Sequence, residues 1–206
     1  VGKLVCASNE NNVLTDFLTT GTYTAKREFF KTTSPSMDIL VSSNLERLLY
    51  HVTGSDAEVA GLMKSLNETG RYTVRPETLK AIQESFDCGW SSEEQVAGEI
   101  RARCEQDGYL CDTHTAVAFH VAAQHKRDGV PMVVLSTASP FKFPRSVLEA
   151  LGQTAPANDF EAMQQLEEIT GRTAPASLSA LRRKAERFNT VIDPEQIAQV
   201  ALSYQA

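Results

Sequence analysis

The chain has 206 residues, 42% of them apolar and 22% charged, which is enough apolar content to build a core and too little charge to keep a chain unfolded. Twenty basic against 26 acidic residues leave a net charge of −6, which argues against a nucleic-acid binder, whose phosphate-facing surface is basic. No apolar run approaches the roughly 20 residues that span a bilayer, so no membrane partner is expected.

Residues 3–8 read as a buried strand, ended by the polar cluster Ser8-Asn9-Glu10-Asn11-Asn12. Val1 leads into it almost at once without an initiator methionine, which predicts a piece of a longer protein. Residues 13–38 read as a long loop with short helical pieces, and residues 38–43 fit either a strand or the lead-in to a helix. Asn44 is placed to cap a helix whose Leu45, Leu48, Leu49 and Val52 share one face. From 55 to 110 the pattern is helical. Val59, Leu62, Met63 and Leu66 repeat the spacing up to Gly70, and Pro76 opens a helix with Leu79, Ile82 and Phe86 inward. Ser91 with Glu94 resembles a capping box ahead of Val96, Ile100 and Cys104.

An Ala-rich helix over 115–128 stops at Gly129, and Met132-Val133-Val134-Leu135 is the clearest strand in the chain, bounded by Ser136–Pro140. A helix over 144–151 follows. Strand, polar turn and helix in this order predict an α/β fold with a mostly parallel sheet flanked by helices. Ligands of such sheets sit beyond the carboxyl ends of the strands, where residues 8–12 and 136–142 fall. The tail, 153–206, reads as helical. Asp159 caps Phe160, Met163, Leu166 and Ile169; Ser177 caps Leu178, Leu181 and Phe188; and Asp193-Pro194 opens a helix with Ile197, Val200, Ala201 and Tyr204 inward.

Four cysteines, Cys6, Cys88, Cys104 and Cys111, form no CxxC pair and read as reduced cytoplasmic thiols. Cys111, His114, His120 and His125 lie close in sequence, yet at about 100° per residue the histidines of one straight helix point apart, so no metal is expected. Helices 92–107 and 115–128 are joined too loosely, and without positive charge, for a DNA-reading pair. The amides of Asn9, Asn11 and Asn12 suit either a ligand or the turn backbone. Ser136, Thr137 and Ser139, followed by Lys142 and Arg145, suit either a heteroaromatic nitrogen and a phosphate or turn caps with solvated cations. No nucleophile–base pair and no glycine-rich phosphate loop is visible.

Residues 7–50, 112–118 and 136–143 resemble a known family. Ala7-Ser8-Asn9-Glu10-Asn11-Asn12-Val13-Leu14-Thr15-Asp16-Phe17-Leu18, running on to Ser34-Pro35-Ser36-Met37-Asp38-Ile39-Leu40-Val41-Ser42-Ser43-Asn44, is similar to the middle of bacterial threonine synthases. Asp112-Thr113-His114-Thr115-Ala116-Val117-Ala118 and Ser136-Thr137-Ala138-Ser139-Pro140-Phe141-Lys142-Phe143 resemble two later blocks, in the right order. The resemblance implies the C-terminal half of a cytoplasmic pyridoxal 5'-phosphate enzyme with the tryptophan synthase β-like fold, converting O-phosphohomoserine and water to threonine and phosphate. It implies no catalytic residue in this chain, because the family's Schiff-base lysine and phosphate loop lie upstream of the first block. Thr137, with Ser136 as the adjacent alternative, matches the hydroxyl expected near the pyridine nitrogen; Asn9, Asn12 and Lys142 fall on the substrate or cofactor rim. His114 is expected to help fix the start of its helix beside the cap Asp112. Residues 1–54 and 111–152 are expected to belong to the cofactor-binding α/β domain, 55–110 to a helical insertion and 153–206 to a helical C-terminal segment. An incomplete sheet is expected to associate with itself through its bared edges. A dehydratase or cysteine synthase-like enzyme of the same fold, and a noncatalytic α/β interaction domain, are the competing readings.

Overall fold

Leu4–Ser8 forms strand β1, and Phe86–Trp90 forms β4, which pairs with it in parallel with Cys6 opposite Cys88 and Ser8 opposite Trp90. Successive residues of the pair point to opposite faces. Cys6 and Cys88 join the apolar cluster around Phe17, while Ala7 joins the cluster around Val117. Helix α1 (Val13–Thr20) covers the first face and α6 (Thr113–Gln124) the second. Gly89 is where α6 comes closest: a Cβ there would sit 2.8 Å from Val121 Cγ1. These observations, in a computed structural model, describe residues 1–203. The expected α/β class, with parallel strands flanked by helices, is the one observed.

A second, antiparallel pair joins β2 (Thr22–Thr24) to β3 (Arg71–Thr73). It stacks Tyr23 on Tyr72 with ring centroids 5.2 Å apart, and Phe17 meets Tyr72 edge-on at 5.8 Å. Helices α2 (Ser43–Thr53), α3 (Asp56–Thr69) and α4 (Pro76–Ser85) enclose this side through Leu45, Leu49, Val59 and Ile82. On the other side α5 (Glu93–Asp107), α7 (Pro144–Ala150) and α8 (Asp159–Thr170) pack Ile100, Val147, Leu148 and Leu166 against α6.

Several expectations shift by a residue or change type. Ser42 rather than Asn44 precedes α2, and Asn158 rather than Asp159 caps α8. The capping box of α5 is Ser92 with Gln95, because Ser91 is fully buried with its hydroxyl on Val117 O at 3.3 Å. Residues 13–38, expected as loop, contain α1 and β2. The stretch 55–110, expected as helical, contains β3 and β4; Phe86 starts β4 instead of ending a helix. Helix α6 ends at Gln124, and Gly129 serves the turn that brings Arg127 beside Val130. Ser177 lies inside α9 (Ala176–Ser179) instead of capping a longer helix, and Phe188 is exposed. In α10 (Ile197–Ser203), Ile197 and Ala201 face solvent and Val200 is half-buried; Tyr204 lies outside the described residues.

The largest departure is Met132–Leu135, which is extended but forms no strand. An apolar run becomes a strand only where a neighbour takes up its N–H and C=O groups. Among the described residues none does, and Val133 and Leu135 are 77% and 74% exposed.

Candidate functional site

Two polar regions follow β1 and the extended run 132–135, and the start of α6 touches both. The first follows β1. Asn9 is wholly buried and donates to Asp38 Oδ1 and Thr32 Oγ1, each at 2.8 Å, while its Oδ1 accepts the N–H of Asn11 at 3.0 Å. Asn11 bridges to Phe30 through both backbone groups and reaches Asp38 Oδ1 at 2.9 Å. Asp38 also accepts the N–H and hydroxyl of Thr32. The amide of Asn9 is thus bonded within the loop over 30–38. Asn12 accepts from Arg27 at 2.9 Å, and Arg27 pairs with Asp16. With Glu10, Glu28, Phe30 and Trp90 these two line a cavity of about 430 Å³ beyond the carboxyl ends of β1 and β4.

The second region follows the 132–135 run. Thr137 is exposed; Ser136 accepts from Tyr109 Oη at 3.1 Å and lies 3.5 Å from Thr115 Oγ1. Ser139 caps the turn Pro140–Lys142 by accepting the N–H of Phe141 at 3.3 Å. Lys142 is exposed, 5.6 Å from the centre of the Phe143 ring. With Arg145, Glu149 and Asp159 it borders a cavity of about 290 Å³.

The start of α6 joins the two regions. Asp112 caps the helix through the N–H groups of His114 and Thr115, as the Asp-Thr-His pattern predicts. Its carboxylate also takes the hydroxyl of Thr115 and, at 3.1 Å, the ring Nδ1 of His114. The opposite ring nitrogen of His114 accepts the N–H of Ser36 at 3.2 Å, and its ring lies 4.8 Å from that of Phe143. Burial opposes the charge of Asp112, yet the side chains of His114 and Thr115, and then their backbone N–H groups, hold its carboxyl below the ordinary aspartate value. Burial, reinforced by the Asp112 charge, pushes the neighbouring Cys111 thiol up to about 12.

Sequence reasoning found Asp112 as a cap but missed Asp38, Ser36 and Thr115. Only Asp38 carried any signal, as the one acid following the Ser34-Pro35-Ser36 turn. The four residues weighed as metal ligands do not converge: His125 bonds Cys88 O at 3.1 Å, and no group of three or more such side chains meets among the described residues. Among the same residues no helix is long and apolar enough to cross a membrane.

The family model for the C-terminal part of threonine synthase matches residues 115–201. The chain is 34% identical over 203 residues to the threonine synthase of Pseudomonas aeruginosa, covering 97% of this chain and 39% of that protein. A crystal structure of PLP-bound threonine synthase from Brucella melitensis superposes with a TM-score of 0.82 at 35% identity, over 98% of this chain and 40% of that one. In sequence and fold the chain matches the C-terminal part of threonine synthases. It is also 37% identical over 153 residues to threonine synthase-like 1 of Pongo abelii, covering 73% of this chain and 21% of that protein. The chain therefore spans between about a fifth and two fifths of the length of these relatives.

Proposed function

We propose that this chain forms the ring-nitrogen side and part of the substrate rim of a pyridoxal phosphate-dependent threonine synthase, a carbon–oxygen lyase that makes threonine and phosphate from O-phosphohomoserine and water. The observation that supports this reading is the superposition of 98% of the chain on a PLP-bound threonine synthase at 35% identity. The readings as a dehydratase, a cysteine synthase relative or a noncatalytic interaction domain gain no comparable support.

The residues fit one part of such a cofactor site. The paired hydroxyls of Ser136 and Thr137 are chemically suited to a pyridine nitrogen, because a neutral hydroxyl bonds it without holding it protonated as a carboxylate would. Both residues are exposed; the Thr137 hydroxyl is the one without the Tyr109 contact that Ser136 makes. Lys142 and Arg145, exposed a few residues further on beside Glu149 and Asp159, are cations that suit an anionic substrate group. No lysine fits a covalent attachment point. Lys3 is held by Gln83 O and Asp87, and the remaining described lysines are exposed on the surface. When bound, the cofactor supplies an electron sink for the reacting carbons. The part of this chain is to orient the ring, to present cations to the substrate and, through Asn9 and Asp38, to keep the loop over 30–38 in place.

The test is the complete gene product. With pyridoxal phosphate and O-phosphohomoserine it is expected to release phosphate and threonine in equal amounts. Release of ammonia and 2-oxobutanoate from threonine, with no turnover of O-phosphohomoserine, would show a dehydratase instead.

A further inference from the structure

The polar regions after β1 and after residues 132–135 are far apart in sequence, and one buried carboxylate touches the path to both. Asp112 and His114 are 0% and 5% exposed, so their hydrogen bonds form without competition from water. An ionised carboxylate only accepts. The single proton of the Thr115 hydroxyl therefore goes to Asp112, and Thr115 Oγ1 faces Ser136 across 3.5 Å with its own proton already engaged. The carboxylate likewise draws the ring proton of His114 to Nδ1, which leaves Nε2 free to accept the N–H of Ser36 at 3.2 Å. The turn held by His114 continues into the knot of Asn9, Ser34 and Asp38.

We infer that Asp112 is a positioning residue that holds the turn over 34–37 and the hydroxyl segment over 136–137 in one geometry, through His114 on one side and Thr115 on the other. Capping α6 needs only the two backbone N–H groups; the bonds to the Thr115 hydroxyl and the His114 ring go beyond that need. That Ser136 and Thr137 face a cofactor rests on the function proposed above; that Asp112 holds them does not.

The experiment uses Asp112→Ser, which keeps a hydroxyl able to cap the helix but withdraws the carboxylate from both neighbours. Thr115→Val removes the arm from Asp112 to Ser136, and His114→Phe removes the arm from Asp112 to Ser36. Backbone order parameters from nitrogen relaxation on the 206-residue chain are the readout. Asp112→Ser is expected to lower them in both segments from the rigid range, about 0.85, to below about 0.6, with hydrogen exchange in α6 unchanged. Thr115→Val should reproduce the loss only at 136–137, and His114→Phe only at 34–37. The nitrogen spectrum of His114 should show an unprotonated Nε2 that becomes mixed in Asp112→Ser. Unchanged order in both segments, or a loss confined to α6, would overturn the inference. In the complete gene product, Asp112→Ser and Thr115→Val are expected to weaken retention of pyridoxal phosphate about ten-fold, the effect of roughly one lost hydrogen bond. Loosened segments with unchanged retention would keep the positioning role and reject the reading that the hydroxyls face the cofactor.

Discussion

Asn9 donates to Asp38 Oδ1 at 2.8 Å, joining the end of β1 to a turn 29 residues later. Both Asn9 oxygen and nitrogen are bonded, so the side chain acts as a buried clasp on the loop that carries Phe30 and Ser34. Asn9→Ala is expected to cost about 1–3 kcal/mol, since it leaves Asp38 and Thr32 short of a donor. Asn9→Asp should cost more, because it sets a second carboxylate against Asp38. Urea unfolding of the two variants checks the order.

Gly89 lies where strand and helix touch. Its Cβ would meet Val121 at 2.8 Å and Gln124 Oε1 at 3.0 Å. Gly89→Ala is therefore expected to push α6 off β4 and destabilise the chain by about 1–3 kcal/mol. Pairing it with Val121→Ala should recover part of that loss, and thermal melts of the three variants measure it.

These two residues also show what could be read without a structure. Asn9 sits in a polar break after a continuous apolar run, so both the strand and the polar turn that ends it were legible. So were Gly70 as a helix end and Asp112 as a cap, because each is decided within a few residues. β4 was not: Asp87 and Gly89 are poor strand formers, and the strand exists because β1 offers a ladder and α6 needs a flat surface. Met132–Leu135 fails in the opposite sense, with strong local preference and no neighbour. The link from His114 to Ser36 spans 78 residues and leaves no local signal in either segment.

Asp112 gives the chain a pH dependence of known sign. Its folded-state carboxyl lies below the ordinary aspartate value, so its contribution to stability is complete above that value. The contribution is lost as pH falls from there through the lower folded value. Urea midpoints measured from pH 7 down to pH 3 should therefore fall for the native chain and fall less steeply for Asp112→Asn. The thiols act at the other end. Burial and the neighbouring Cys88 push Cys6 up to about 11, and Cys111 rises to about 12, so both favour the fold below the ordinary thiol value and withdraw that support as pH rises above it.

The apolar run at 132–135 is expected to make the chain sticky. Val133 and Leu135 are exposed together on an extended, unpaired backbone, a template for pairing with another copy. The double change Val133→Lys and Leu135→Lys should alter stability by no more than about 0.5 kcal/mol while lowering dye binding and light scattering at high concentration. A native chain that is monomeric at every concentration and binds no dye would contradict this.

The central claim is that this chain supplies the ring-nitrogen side and rim of a pyridoxal phosphate site but not the lysine that holds the cofactor. A titration of pyridoxal phosphate, followed by the visible absorbance of the lysine-bound form, tests it directly on the isolated chain and on the complete gene product. The isolated chain is expected to give no stable band, since its described lysines are exposed or, like Lys3, engaged elsewhere, and the complete product is expected to give one. A stable band in the isolated chain, abolished by changing one of its own lysines, would contradict the account.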